Sequence, residues 1–379
     1  MRICIVYDCL YPYTVGGAER FYRSLAERLA EDGHDVSYLT LRQWERGSSG
    51  EVPGVTVIEA GPRVALYAGG RRRLKPPLLF GLGVLRHLVS YGRDYDLVLT
   101  GAFPFFSLLA AATLRRVCGY ELAVDWPEVW TRSYWREYLG RLGGVGWLVQ
   151  RTCIRVRQHA LCPSELHARR LRDGGVRGPV TVYRGLYEGK GTVPLPAEEL
   201  VVFVGRHIPE KRVTTVVPAI ACARASVPDL RCKIFGDGPD RAEVLRQIAS
   251  QGLEGAVTAP GFVGRKQLEC SLEKALCLVL PSRREGYGLV VVEAAARGVP
   301  SIIVEGSDNA ATELVEDGVN GFIVPSSSPD ALAGAILRVR DEGPALRAST
   351  SHWFADHAAE LSLVGSVELV SRLLPAAQR

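Results

Sequence analysis

Long apolar runs are missing from this 379-residue chain, and no stretch is long enough to span a bilayer. It has no C-x-x-C pair and no cysteine or histidine spacing that fits zinc. G-x-G-x-x-G is absent, which argues against a nicotinamide dinucleotide site. No long basic run occurs and the formal charge of +5 is modest, which argues against a dedicated nucleic-acid binder. Lysine is scarce, six residues against forty arginines, a compositional hint of a GC-rich bacterial genome. The first residues, Arg2-Ile3-Cys4-Ile5-Val6-Tyr7, read directly as strand with no leader before them, so the expected setting is cytoplasmic. The nine cysteines are odd in number, and Cys4, Cys118, Cys162, Cys232 and Cys277 lie in or beside apolar runs. They read as small buried hydrophobes in a reducing compartment.

What is present is a hydrophobic content of 47%, ample for two cores in a chain of this length. Short apolar runs alternate with helical patterns, the mark of βαβ units. The first series of strands is expected at Ile3–Tyr7, Val36–Thr40, Val55–Glu59, Leu97–Thr100, Glu121–Val124, Ala160–Cys162 and Val180–Tyr183. Ala18, Phe21, Tyr22, Leu25, Ala26 and Leu29 recur at helical spacing until Gly33. Gly185, Gly189, Gly191, Pro194 and Pro196 then mark a linker. A second series follows at Val201–Val204, Cys232–Phe235, Ala256–Thr258, Ala275–Leu280, Ser301–Val304 and Phe322–Val324. The chain therefore reads as two Rossmann-like α/β domains, residues 1–190 and 191–357, with a last helix at about 358–379 returning to the first. Two such halves imply a cleft, with ligands beyond the carboxyl ends of the strands.

Arg283-Arg284-Glu285-Gly286-Tyr287-Gly288-Leu289-Val290-Val291-Val292-Glu293 carries the most chemistry. An apolar run ending at Leu280 reads as a buried strand, and Leu289 to Arg297 as a helix stopped by Gly298 and Pro300. Glu285 then sits in the strand-to-helix loop and Glu293 about one turn into the helix, where its side chain leans back toward the loop. Helix-start N–H groups between them form an anion site. Two carboxylates around an anion site suit a ligand with hydroxyls and phosphate, such as a nucleotide sugar. Taken alone, Glu285 as a helix cap and Glu293 as a solvated residue is the preferred reading, which the glycine spacing and the partner motifs reverse. Gly16-Gly17 after the first strand and Gly205-Arg206-His207-Ile208-Pro209-Glu210-Lys211 after the strand at 201–204 extend the pattern. Arg206 offers a fork and Lys211 a point charge to a diphosphate, although two solvated charges are as good a reading in isolation.

These segments, with Gly236-Asp237-Gly238-Pro239, Pro260-Gly261-Phe262-Val263-Gly264, Glu313 and Asp317-Gly318-Val319-Asn320-Gly321, occur in the order seen in family-4 retaining glycosyltransferases of the GT-B fold, which the chain resembles. The match is strong over 200–325 and patchier before it. The resemblance implies that Glu285 contacts the donor sugar and that N–H groups of Gly286, Tyr287, Gly288 and Leu289 hold the sugar and distal phosphate. It implies that Glu293 meets the ribose hydroxyls, that Arg206 and Lys211 at the Gly205 turn grip the diphosphate, that Gly16-Gly17 approaches from the other domain, and that backbone near Val263 meets the base. No metal and no organic cofactor is implied. The partners are a nucleoside diphosphate sugar, UDP before GDP, and a hydroxyl acceptor from among natural products, polysaccharides or lipids.

The chain departs from the family where a histidine is common, in Val124-Asp125-Trp126-Pro127-Glu128-Val129-Trp130. Asp125 or Glu128 is a candidate substitute, and Trp126 and Trp130 are candidate acceptor-facing aromatics, with ordinary core packing the competing reading. Arg71-Arg72-Arg73-Leu74-Lys75 ahead of Leu78-Leu79-Phe80 could meet anionic lipid, but a solvated loop before a core helix is preferred, so membrane contact is not favoured. Asp94-Tyr95-Asp96 spells D-x-D but only precedes a strand and is discounted. The alternatives to a transferase are a sugar-nucleotide epimerase, a glycoside hydrolase built on the two carboxylates, and a non-catalytic nucleotide-sugar-binding protein.

Overall fold

Runs such as Leu97-Val98-Leu99-Thr100-Gly101 and Cys277-Leu278-Val279-Leu280 bury every residue, which requires cover on both sheet faces. A computed structural model describes residues 1–45, 47–68, 71–73 and 75–373, with the backbone alone at 67, 68, 71, 72, 371 and 373. Its chain divides into two compact units, Met1–Leu186 with Leu363–Arg379, and Tyr187–Ser362.

Unit 1 contains strands β1 (Arg2–Val6), β2 (Asp35–Thr40), β3 (Val55–Glu59), β4 (Tyr67–Ala68), β5 (Arg71–Arg72), β6 (Leu97–Gly101), β7 (Glu121–Asp125), β8 (His159–Cys162) and β9 (Val180–Val182). Its helices are α1 (Gly17–Glu31), α2 (Lys75–Tyr91), α3 (Phe105–Cys118), α4 (Arg132–Leu139), α5 (Gly143–Ile154) and α6 (Glu165–Asp173). Seven strands form one parallel sheet in the order β3-β2-β1-β6-β7-β8-β9, and β4 and β5 make a small antiparallel pair. One side of the core holds Phe80, Leu108, Leu122 and Trp126, and the other Ile5, Tyr22, Leu25 and Leu99.

Unit 2 contains β10 (Leu200–Val204), β11 (Arg231–Phe235), β12 (Val257–Gly261), β13 (Cys277–Leu280), β14 (Arg284–Glu285), β15 (Ser301–Val304), β16 (Asp308–Asn309) and β17 (Gly321–Val324). Its helices are α7 (Val216–Arg224), α8 (Arg241–Ser250), α9 (Arg265–Glu273), α10 (Leu289–Ala295) and α11 (Pro329–Leu361). The parallel sheet runs β12-β11-β10-β13-β15-β17, and β14 pairs with β16 in a separate two-stranded parallel sheet. α11 breaks at Gly343 (φ 55°), where Pro344 starts a new helical stretch. The last helix, α12 (Leu363–Leu373), packs with unit 1: Val367 and Val370 join its core, and Ser366 Oγ donates to Gly185 O at 2.6 Å. All nine cysteines are free thiols; Cys4, Cys162, Cys232 and Cys277 are buried, while Cys118 is only partly so.

The strand order of unit 2 reverses between β10 and β13. Such a switch point leaves a crevice beyond the carboxyl ends of its two strands, the usual ligand position in open parallel sheets. Lys211 follows β10 and Glu285 follows β13.

Candidate functional site

At the end of β10 the backbone leaves the sheet against the exit of β11. Gly205 N donates to Phe235 O at 3.1 Å and His207 N to Asp237 O at 2.8 Å. Gly236 has φ 116°, and a Cβ there would lie 1.9 Å from Gly205 O, so only glycine allows this approach. A 3-10 turn, Pro209–Lys211, follows, and Arg212 takes the left-handed conformation (φ 48°) before α7. Arg283 N donates to Glu210 O at 2.8 Å, which fastens the exit of β13 to that of β10.

This junction brings Lys211 and Glu285 together. Lys211 Nζ donates to Glu285 Oε1 at 2.5 Å, and Ser282 Oγ donates to the same oxygen at 2.8 Å. The two side chains are 18% and 9% exposed, so the pair is largely removed from water. Both bonds end on Oε1 rather than Oε2. Glu285 lies in β14, opposite Asn309 of β16. Asn309 is 1% exposed; its Nδ2 donates to Ser282 O (3.2 Å) and Val304 O (2.8 Å), and its Oδ1 accepts from Ala311 N (3.2 Å). One buried amide therefore ties together the segments that aim Glu285. Ser282 and Asn309 were not singled out from the sequence. Neither lies in a recognisable sequence motif.

The other donor-side candidates lie around this pair in the sequence. Gly288 caps α10 with φ 103°, and Tyr287 is buried. The first backbone bond of α10 is Val291 N to Gly288 O at 2.8 Å, so the N–H groups of Leu289 and Val290 precede it. Gly286 and Leu289 are half-buried. Glu293, the fifth residue of α10, is half-buried, and its carbonyl accepts from Arg297 Nη1 at 2.8 Å. Arg206 is exposed; its carbonyl accepts from Ile208 N at 3.0 Å, and its side chain makes no hydrogen bond or ion pair among the described residues. Val263 follows Gly261, whose carbonyl accepts from Gly236 N at 3.0 Å; Phe262 between them is 77% exposed. Asp317-Gly318-Val319-Asn320-Gly321 is a structural turn: Asn320 Oδ1 accepts from Glu316 N at 2.7 Å, and its Nδ2 donates to Leu314 O at 2.9 Å.

His207 also escaped the sequence reading. It is fully buried beneath the turn carrying Arg206, with no well-formed hydrogen bond at either ring nitrogen. Burial lowers its pKa, Arg241 adding to this effect and the Asp237 carboxylate opposing it.

In unit 1, Gly16 is the extended N-cap of α1. A Cβ at Gly16 would lie 2.2 Å from Glu19 Oε2, so this glycine makes room for a carboxylate turned back toward its own helix start. Gly17, by contrast, has open space where a Cβ would point.

Two acceptor-side expectations need correction. Asp125 is 3% exposed and is held inside unit 1, with Oδ2 accepting from Tyr22 Oη (2.6 Å) and Oδ1 from Tyr183 Oη (2.5 Å). Burial pushes its carboxyl up to about 6, against the lowering effect of the two tyrosine hydroxyls. Trp126 has no exposed surface, and its Nε1 donates to the buried Gln158 Oε1 at 2.8 Å, so it packs the core rather than facing a ligand. Glu128 and Trp130 remain half-buried, joined by Trp130 Nε1 to Glu128 Oε2 at 2.6 Å. Trp130 also packs on Tyr134, Trp135 and Tyr138, with ring centroids 4.8, 4.7 and 5.1 Å away.

The D-x-D carboxylates are engaged by Arg2: its N–H donates to Asp96 Oδ2 at 2.8 Å, and Nη1 meets Asp94 Oδ1 at 3.4 Å. Among the described residues no cluster of three histidine, cysteine or acidic side chains is placed to hold a metal. Of the basic stretch 71–75, Leu74 and the side chains of Arg71 and Arg72 lie outside the described residues; Phe80 just after it is fully buried.

Residues 191–351 match the family described as glycosyl transferases group 1, and residues 15–186 match glycosyltransferase family 4. The chain is 33% identical over 148 residues to the alpha-D-kanosaminyltransferase of Streptomyces kanamyceticus, covering 39% of this chain and 38% of that protein. It is 32% identical over 167 residues to the D-inositol 3-phosphate glycosyltransferase of Streptomyces griseus, covering 41% and 35%. The matches thus span well under half the length of these relatives. Among solved structures, sucrose-phosphate synthase from Thermosynechococcus elongatus superposes with a TM-score of 0.78 at 20% identity, over 98% of each chain. Anabaena HepE, solved in complex with UDP and glucose, superposes with a TM-score of 0.72 at 19% identity, over 99% of each chain. With both parallel-sheet units matched by family and by fold, the chain belongs to the family-4 glycosyltransferases of the GT-B fold.

Proposed function

We propose that this protein transfers a sugar from a nucleoside diphosphate sugar to a hydroxyl acceptor with retention of configuration, using UDP in preference to GDP. The observation that carries the reading is the Lys211–Glu285–Ser282 constellation at the switch point of unit 2. A lysine beside a glutamate suits a ligand that has phosphate next to sugar hydroxyls. On donor binding, Lys211 turns from Glu285 to the diphosphate and Glu285 accepts from a sugar hydroxyl while keeping its bond from Ser282. Arg206, exposed on the same turn, adds a second cation. As the sugar–phosphate bond breaks, charge grows on the distal phosphate, where Lys211, Arg206 and the N–H groups of Gly286 to Leu289 lower its energy. The acceptor hydroxyl attacks from the face the diphosphate leaves, and a departing phosphate oxygen takes its proton. The family resemblance supports this front-face course, and HepE complexes with UDP and UDP-glucose favour uridine. Glu293 is assigned to the ribose and the Val263 backbone to the base. Glu128 and Trp130 are kept as acceptor-side residues.

The test is a thermal-shift screen against UDP, GDP, ADP, TDP and their hexose conjugates, followed by nucleotide release with the donor that binds. A ligand at a hundredfold excess over its Kd stabilises by about 2.7 kcal/mol. The acceptor screen begins with cyclitols, because relatives are named for inositol 3-phosphate and 2-deoxystreptamine. Glu285→Ala is expected to lower transfer by about a hundredfold or more. Wild-type turnover in that variant, or no shift with any nucleotide, overturns the reading.

A further inference from the structure

We propose that Gln43 is a positioning residue for the donor: its side-chain amide holds the β1–α1 loop so that the first N–H groups of α1 meet the distal phosphate. This role rests on the proposed reaction and on the assignment of Gly16-Gly17 to the donor. β1 ends at Val6 and α1 starts at Gly17, and residues 7–16 join them. Tyr7 N still donates to Leu39 O at 3.1 Å; beyond it the segment leaves the sheet. Its polar groups are then met by side chains, because a backbone without a ladder needs other partners. Tyr38 Oη donates to Cys9 O at 2.9 Å, and Arg23 Nη1 to Tyr11 O at 2.8 Å. Half-buried Gln43, three residues beyond β2, takes the largest share. Its Oε1 accepts from Leu10 N at 3.2 Å and from Thr14 Oγ1 at 2.6 Å. Its Nε2 donates toward Asp8 O, Thr40 Oγ1 and Leu41 O, each at 3.3 Å. Leu10 N–H can only donate, and the carbonyls of Asp8 and Leu41 can only accept, so the orientation of the amide is fixed.

One amide thus fastens Asp8, Leu10 and Thr14 to the exit of β2, and Thr14 N closes the turn between them by donating to Leu10 O at 3.0 Å. Two residues later comes Gly16, the N-cap of α1, where no side chain caps the helix. The first backbone bond of α1 is Arg20 N to Gly16 O at 3.3 Å, so the N–H groups of Gly17, Ala18 and Glu19 precede it. Gly17 is exposed, with open space where a Cβ would point. Helix-start N–H groups favour negative charge, and in a nucleoside diphosphate sugar the phosphates carry it. Tyr22, Leu25 and Leu29 bury the inward face of α1 and fix its body. What remains for Gln43 to set is the path of residues 14–17 over the first turn. A positioning error of about 1 Å there is enough to lose a phosphate contact.

The experiment measures the affinity of the full chain for UDP and for UMP by calorimetry; UMP lacks the distal phosphate. Gln43→Leu and Thr14→Val keep the side-chain shape and remove the bonds. Each should weaken UDP binding about tenfold, the worth of one hydrogen bond to a charged group, and leave UMP within about twofold of wild type. Thr14→Ser keeps the hydroxyl and should bind UDP like wild type. The double variant Gln43→Leu/Thr14→Val should bind UDP no worse than Gln43→Leu, since both changes act through one bond. Val84→Ala, a fully buried core position on α2, lowers the stability of unit 1 without touching the loop and should leave UDP affinity unchanged. Equal loss of UDP and UMP binding, unchanged UDP affinity in Gln43→Leu, or the same loss in Val84→Ala overturns the positioning role. A wild type that takes guanosine is tested with GDP and GMP in the same way. A wild type that binds neither UDP nor GDP overturns the proposed reaction itself, and the role of Gln43 falls with it.

Discussion

Breaking the Lys211–Glu285 pair should cost stability in unit 2 and leave unit 1 unchanged. Lys211→Met removes the cation from a carboxylate that is 9% exposed and keeps one bond from Ser282. A fully buried charge stripped of its partner costs about 3–5 kcal/mol. Lys211 itself is 18% exposed, so water reaches the pair, and Ser282 still serves Oε1. A loss of about 2 kcal/mol is therefore expected, below that figure and within the ~1.5–3 kcal/mol of a hydrogen bond to a charge. For a unit of this size the loss lowers its Tm by about 4–8 °C. Glu285→Gln should cost a similar amount, and the double variant less than the sum, with about 1 kcal/mol or more of coupling. Calorimetry resolves the two units, and tryptophan fluorescence supplies an internal control. Five of the six tryptophans, Trp44, Trp126, Trp130, Trp135 and Trp147, are in unit 1, and only Trp353 is in unit 2. Additive single effects, or a fluorescence transition that moves as far as the calorimetric one, would refute the pairing and the independence on which this magnitude rests.

The two units should also respond oppositely to pH. Asp125 in unit 1 has its folded pKa raised to about 6 from 3.8, so its stabilising contribution is full below 3.8 and is lost as pH rises through 6, a difference of about 3 kcal/mol. Asp125→Asn keeps an acceptor for one tyrosine and should flatten this slope, measured as the wild-type minus variant Tm of unit 1 from pH 4 to 8. His207 in unit 2 has a lowered pKa, so its contribution is present above its ordinary value near 6.5 and is lost as pH falls below it. His207→Leu should remove that acid loss, and an unchanged pH profile would show that the imidazole is not buried as described. Gly288→Ala should destabilise unit 2 by about 1–2 kcal/mol, since φ is 103° and the new Cβ meets Ala311 Cβ at 2.7 Å. Gly17→Ala should leave the melting temperature of unit 1 within a degree or two, because no atom lies within 4 Å of its Cβ position; a large fall would show that Gly17 is needed for packing.

The strands were legible because parallel strands buried on both faces read as unbroken apolar runs. Val55–Glu59 and Ser301–Val304 fall where the runs placed them, and most others differ by a residue or two at their ends. The two-residue strands β14 and β16 were not, since neither contains a run and each exists only through the other. Glu285 was visible in its motif, but Lys211 was assigned to phosphate alone, and its ion pair links residues 74 apart. Asp125 and Trp126 were read toward an acceptor because a carboxylate among aromatics looks the same in sequence whether it faces ligand or core. The deciding partners, Tyr22 and Tyr183, lie 103 and 58 residues away.

The motif glycines carry the same lesson in sharper form. A glycine beside a helix start invites a ligand interpretation, yet several here are explained by the protein's own atoms. Gly16 yields to the Glu19 carboxylate, Gly236 to the Gly205 carbonyl, and Gly288 to Ala311. Each keeps a loop at a strand exit close to its neighbour, so its lack of a side chain has an internal steric reason. Gly17 and Gly264 have open space at the Cβ position. These are the positions where glycine has no internal steric reason, and where a ligand's approach is the remaining physical one. A motif thus mixes two kinds of constraint that only coordinates separate. Ligand binding that falls in Gly17→Ala while stability holds would assign Gly17 to the ligand, and the reverse pattern in Gly288→Ala would assign Gly288 to the scaffold that aims Glu285.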